Sequence, residues 1–379
     1  NRNGIPDRVP VTPDISNFIP CRLTGRPYWE IYFEGKIPLW QAYLLAADHF
    51  GIDAWMASCT GAPMVWGEAK VETERELVYD KDEDAMVQHQ TFHTPDGDLT
   101  ARQLCYRREP PSPIEKPIKD LQQDWKKFKW LMIEPTGVDD AQWERMWAET
   151  QKRRQAFGVT VGYPGFQSWM SHVQGGVAPL SYAQIDCPEI LDEWFEIDMD
   201  RGTKQMTLIL EKRPDYILLG GSGTITLASP DLARRYALPA LKKWSKMAAE
   251  AGIPTQLHSC GKERVLGDML ADETDVNSGN PLEEPPMGDV ILEEVKQARG
   301  NRIALMGNLH TTEVMLRGTP ELVRQKSLEA MRAAAQGGGF ILSTGDQCGR
   351  DTPDENIFAM VEAVEECGWY DRDTGTLRY

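Results

Sequence analysis

Two side chains that bind soft or borderline metals, His258 and Cys260, flank a single serine in LHSCG, residues 257–261. In an extended segment residues i and i+2 share a face, so both side chains point to one side. A third candidate, Cys348, stands much further along in STGDQCGRDTP. One imidazole and two thiolates suit zinc, and three protein ligands leave a fourth position open for chemistry. Asp346, two positions before Cys348, is placed to orient a ligand or to be the fourth one. The ordinary alternatives are a cysteine buried as a small apolar residue and a histidine hydrogen-bonded at a strand end. Cys348 also precedes a helix N-terminus, whose partial positive charge favours thiolate.

These residues need elements to position them. Eight short runs read as buried strands: RVPVTP (8–13), IDAWMAS (52–58), VTVGYPG (159–165), YILLGG (216–221), TQLHSCG (255–261), TDVNSGN (274–280), RIALMGN (302–308) and FILSTGD (340–346). They lack clean alternation, as expected of parallel strands buried on both faces. Helical patterns lie between several of them. One has Ser229 as N-cap and Pro230 at the first helical position, a second starts at Thr319-Pro320, and a third carries a capping box, Thr352 with Glu355. Eight strands with intervening helices predict a (β/α)8 barrel, and barrels place their chemistry at the C-terminal ends of the strands. His258, Cys260 and Cys348 all follow such ends. Residues 66–110 break the alternation and read as a β-rich insertion, with TPDGD as its turn and the proline-rich EPPSPIEKP closing it. No linker divides the chain, so residues 1–379 are expected to form a single barrel domain with that insertion.

Bulk properties narrow the partners. The chain has 379 residues and a net charge of −17, which disfavours nucleic acid and anionic membranes as main partners. No apolar run reaches the length of a membrane-spanning helix, and NRNGIPDRVPVTPD has no signal-peptide apolar region. Seven scattered cysteines suit a reducing cytoplasm better than a disulfide framework.

The stretches PTQLHSCG, DVNSGNPLEEPPMGDV, RIALMGNLHTTEVMLRGTPELV and GGGFILSTGDQCGRDTPDENIFAMVEAV resemble the uroporphyrinogen decarboxylase superfamily, firmly over about 215–370. The resemblance implies a (β/α)8 barrel. Members that decarboxylate uroporphyrinogen use no metal and carry an N-terminal R-Q-A-G-R segment for substrate carboxylates. Here that region, RVPVTPDISNFIPCRLTGRPYW, keeps Arg22 and Arg26 but lacks the pattern. The other branch, zinc-dependent methylcobamide:thiol methyltransferases, carries H-x-C followed much later by C as zinc ligands, matched here by His258, Cys260 and Cys348. The resemblance therefore implies Zn2+, a corrinoid supplied by a partner protein, and a small-molecule methyl donor or acceptor such as a thiol or a methoxylated compound. It also implies a homodimer, by family analogy alone. No D-x-H-x-x-G corrinoid motif occurs in the chain, so the corrinoid is expected on the partner. The competing readings are a metal-free tetrapyrrole decarboxylase and a non-catalytic corrinoid- or small-molecule-binding relative.

Other residues expected to line the mouth are Tyr163 in VGYPGFQSW, Asn277 at a strand end, Arg350 as a site for an anionic tail, and Trp169. Trp55 and Trp66 are further candidates for a pocket wall. For each, the alternative is a core or surface role.

Overall fold

The computed structural model describes residues 4–371 and 373–378. In chain order the strands are β1 (Met64–Trp66), β2 (Glu72–Asp80), β3 (Ala85–Thr94), β4 (Gly97–Tyr106), β5 (Ser112–Glu115), β6 (Pro135–Val138), β7 (Gly158–Gly162), β8 (Tyr216–Gly220), β9 (Thr255–His258), β10 (Ser278–Asn280), β11 (Ala304–Leu309) and β12 (Phe340–Thr344).

Strands β7 to β12 form one parallel sheet in sequential order. Their apolar side chains, among them Val159, Val161, Ile217, Leu219, Leu257, Leu305 and Leu342, are buried. Parallel strands need crossovers, and helices such as Pro188–Lys212, Leu238–Glu250 and Pro320–Ala334 supply them. The helix starts follow the sequence at two places: Ser229 accepts from Leu232 N at 3.2 Å and Thr319 from Leu322 N at 3.4 Å. The third differs. Helix Asp354–Cys367 begins after Pro353 with no side-chain cap, because Thr352 is turned into the interior.

The first two barrel positions are thinner than expected. Val11 bridges to Leu342 and Gly61 to Thr160, both in parallel, as isolated pairs. Asp53 N donates to Val11 O at 2.9 Å, which links the two segments to each other. These hydrogen bonds run around the ring in the order of a (β/α)8 barrel. The ladders stay short for local reasons. Pro10 and Pro13 have no N–H to give, and Met56–Ser58 coils into a 3-10 turn.

The Asp53 carboxylate compensates at this seam. It accepts from Arg8 Nη1 at 2.8 Å, Arg8 Nη2 at 3.2 Å and Val11 N at 2.8 Å. Asp53→Ala is therefore expected to cost about 2 kcal/mol of stability, read as a lower urea midpoint at unchanged slope. An unchanged midpoint would show that the N-terminal segment is held without it.

The insertion is a four-stranded antiparallel sheet in the order β2-β3-β4-β5. The TPDGD turn joins β3 to β4, with Gly97 at φ 112°. The proline-rich segment does not close the excursion as expected; Ser112–Glu115 adds to it as the edge strand β5. An edge tolerates Pro113, which has no N–H to contribute to a ladder.

Candidate metal centre

The strand ends assemble the site. His258 is the last residue of β9, and its register partner Asn280 is the last of β10. Cys260 follows β9 by two residues and Asp346 follows β12 by two. A nitrogen of His258, the sulfur of Cys260 and a carboxylate oxygen of Asp346 lie within 4.8 Å of one another. His258 Nε2 and Cys260 Sγ are 3.3 Å apart. The turn after Cys260 runs through Gly261 at φ 83°, where a Cβ would collide with the Thr226 side chain. This conformation suits glycine and aims the Gly261 N–H at the Glu283 carboxylate.

The surrounding shell holds this cluster in place. Ser222 Oγ lies 3.0 Å from Cys260 Sγ. Trp55, buried, tilts its ring against His258 at 6.0 Å between centroids and donates Nε1–H to Gln256 at 2.7 Å. Asn280 Nδ2 sits 3.2 Å from His258 Nδ1 while its buried Oδ1 has no hydrogen-bond partner. Turning that amide over would let Oδ1 accept from Nδ1–H and leave the Nε2 lone pair facing Cys260. This is the tautomer a metal needs. Asn280→Ala is expected to weaken metal binding about 10–100-fold, measured by chelator competition. Unchanged affinity would mean the ring is oriented by packing alone.

Carboxyls crowd the same mouth. Burial raises Asp14, with Asp346 adding to the rise and His258 opposing it. Burial also pushes Glu263 well up, and the neighbouring charges that act on it are the carboxylates Glu283, Asp289 and Asp346. Glu283 is raised by burial and by Asp346. The Cys260 thiol is raised by burial and then by the Asp346 charge. A bound cation would oppose the upward shifts of these three acids and the thiol. The donor types and their spacing fit zinc.

The sequence-predicted residues divide. His258, Cys260 and Asp346 come together. Cys348 stands outside that trio: fully buried, its N–H donates to Asp14 O at 2.8 Å. Its thiol is not favoured as thiolate by the following helix; burial pushes it up to about 12, with the Asp14 and Asp346 charges adding and the Thr344 and Thr352 hydroxyls opposing. It thus lies within electrostatic reach of the same acids as the trio.

Asn277 is at the opposite end of the sheet. It exchanges bonds with Thr255 at the start of β9, at 2.8 and 3.0 Å, because β10 starts after Asn277 rather than ending at it. Tyr163 is buried with its hydroxyl 2.7 Å from Thr224 Oγ1, so it offers no open aromatic face. Trp169 stacks on Trp194 at 5.2 Å in a second core. Arg350 is engaged by Glu109 and Asp351 and ties the mouth loop to the chain beyond β4. Asn280, Ser222, Asp14, Glu263 and Glu283 were not singled out from sequence. Only Glu263, three residues beyond Cys260, and Glu283, in GNPLEE, carried any signal there as acidic groups near strand ends.

Comparison with known proteins bears on the family and the fold. Residues 204–367 match the family described as uroporphyrinogen decarboxylase (URO-D). A methylcobamide:CoM methyltransferase of Methanosarcina barkeri is 27% identical over 179 residues, 47% of this chain and 49% of that protein. A uroporphyrinogen decarboxylase of Anaeromyxobacter dehalogenans is 29% identical over 146 residues, 38% of each. The chain thus spans half or less of the length of these curated relatives. A solved methyltransferase from Methanosarcina mazei superposes with a TM-score of 0.64 at 19% identity, covering 95% of this chain and 94% of that one, which shows a shared fold. Residues 204–367 thus resemble the uroporphyrinogen decarboxylase family, and the chain as a whole shares the fold of a solved methyltransferase.

Proposed function

We propose that the protein is a zinc-dependent methyltransferase that moves a methyl group between a corrinoid, carried by a partner protein, and a thiol or a methylated small molecule. The observation that carries this reading is the convergence of His258 Nε2, Cys260 Sγ and the Asp346 carboxylate at the C-terminal ends of the parallel strands. The H-x-C and C spacing and the similarity to a methylcobamide:CoM methyltransferase support it. The absent R-Q-A-G-R pattern counts against tetrapyrrole decarboxylation.

His258, Cys260 and Cys348 would hold the zinc, with Asp346 beside them. When bound, zinc supplies Lewis acidity, which lowers the pKa of an incoming thiol or polarises a methylated heteroatom. The chain's own residues do the rest. Asn280 fixes the imidazole tautomer. The Ser222 hydroxyl steadies the Cys260 sulfur. The Asp346 carboxylate takes the proton that leaves an incoming thiol, since it is the carboxylate within the trio. The low-dielectric floor of buried acids and Trp55 strengthens each of these interactions. Among the described residues no helix is long and apolar enough to cross a membrane; the cytoplasmic placement we propose rests on the scattered cysteines of the acidic chain.

The test is zinc content together with thiol-dependent loss of methylcobalamin absorbance. About one zinc per chain and demethylation that requires both protein and thiol are expected. Protein kept reduced and free of chelators that holds no zinc would overturn the reading.

A further inference from the structure

The carboxylate of the trio is carried on strained backbone. Asp346 stands at φ 157°, a value that glycine adopts freely and other residues rarely. Such a conformation persists only where the surroundings over-determine it. Three bonds do so here, and two of them meet at one hydroxyl.

Thr344, the last residue of β12, is fully buried. Its Oγ1–H donates to Asp346 O at 2.6 Å, and the same oxygen accepts from Asp14 N at 3.0 Å. A hydroxyl has one proton and two lone pairs. The Asp14 N–H thus fixes the rotamer, and the proton is committed to the Asp346 carbonyl. Among the described residues no other side chain bonds the Asp346 backbone. The third bond comes from the far side, where Gly345 N donates to Leu309 O at 2.7 Å.

The segment that carries Asp14 grips the rest of the loop. Thr12 O accepts from Ser343 Oγ at 2.7 Å, Asp14 O from Cys348 N at 2.8 Å, and Ser16 Oγ from Gln347 Nε2 at 2.5 Å. Residues 12–16 therefore bracket residues 343–348, and Thr344 passes that grip to Asp346. The Cys348 thiol also feels the Thr344 hydroxyl, so a test must separate the two neighbours.

We propose that Thr344 is a positioning residue: its hydroxyl holds Asp346 in this conformation and so keeps the carboxylate beside His258 and Cys260. The use made of that carboxylate, as acceptor of the proton that leaves an incoming thiol, rests on the function proposed above; the positioning does not. Valine at 344 keeps the shape but leaves Asp14 N–H and Asp346 O without their partner. The backbone then has a reason to relax and turn the carboxylate away. Serine keeps the hydroxyl and should keep the arrangement.

Crystal structures of metal-free Thr344→Val and Thr344→Ser read the positioning without an assay. Asp346 is expected at a negative φ in the first and near 157° in the second. Methyl transfer from methylcobalamin to 2-mercaptoethanol reads the consequence. In Thr344→Val kcat should fall about tenfold or more with zinc content unchanged, and in Thr344→Ser it should stay within about twofold of the parent. On an Asp346→Asn background Thr344→Val should cost nothing further, because both changes act through one carboxylate. Asp346 unmoved in Thr344→Val, or the same fractional loss on the Asp346→Asn background, would overturn the inference; the latter would assign the effect to Cys348 or to the barrel wall. A parent protein without zinc or methyl transfer would sink the proposed function instead, and the two crystal structures would still decide this point. Should Thr344→Val not fold, Thr344→Ala, which removes the same hydroxyl, takes its place.

Discussion

Cys260→Ser is expected to lose its zinc and to lower methyl transfer about a thousandfold or more. The thiolate is the soft donor of the trio, and a serine hydroxyl stays protonated at neutral pH. The remaining imidazole and carboxylate then face a cation with one strong donor missing. The upward shifts of the buried acids Asp14, Glu263 and Glu283 are no longer opposed once the cation is gone. His258→Ala should behave alike, because Nε2 lies 3.3 Å from the same sulfur. Elemental analysis and the methylcobalamin assay read both effects. Zinc lost with methyl transfer retained would separate the metal from the chemistry, and a structural zinc would then be the better account. Zinc retained in both variants would place the metal elsewhere.

The second large effect concerns the loop after β12. Cobalt(II) in place of zinc reports thiolate ligands through sulfur-to-metal charge-transfer absorption. That absorption should halve in Cys348→Ser, with metal affinity down about 100-fold or more, and should keep its intensity in Asp346→Asn. The physical reason is softness: a borderline-soft ion prefers thiolate to carboxylate, and metal binding supplies the free energy to ionise a thiol that burial otherwise holds near 12. The structure has the carboxylate of Asp346 in the trio, while the Cys348 thiol, pushed up by burial, is drawn down by the Thr344 and Thr352 hydroxyls and feels the Asp346 charge. Zinc binding through Cys348 would require its thiol to take the place of that carboxylate. Charge-transfer intensity unchanged in Cys348→Ser would instead assign the third ligand to Asp346, as the trio stands.

Much of the architecture was legible because parallel strands buried on both faces announce themselves as short apolar runs. YILLGG and FILSTGD became ladders almost to the residue. The runs failed where side chains stopped being informative. β10 is Ser278–Asn280, three small or polar residues that hydropathy does not mark, so Asn277 was placed at the mouth and Asn280 was overlooked. Trp169 was assigned to the mouth because it follows a strand closely. The chain instead turns through Gly165 into helix Phe166–Trp169, which carries the indole into the second core. The H-x-C pair was legible because His258 closes β9 and Cys260 follows it by only two residues. The D-x-C pair was not, because the loop after β12 is irregular and spacing no longer says which side chain faces the centre. Thr352 matched a capping box in pattern, yet its burial beside a thiol outweighed the local cap.

The thin seam where Val11 meets Leu342 and Asp53 has a kinetic reading. Amides around 11–12 and 53–61 border isolated bridges, whereas those of β7 to β12 sit in continuous ladders, so the seam should exchange with deuterium first among the barrel's backbone groups. Asp14, three residues beyond Val11, belongs to the acid floor of the mouth. Each breath of the seam would briefly lift that carboxyl out of its low-dielectric surroundings and let water and protons reach the centre from below. The barrel's weakest joint would then set how often the reaction chamber equilibrates with its surroundings.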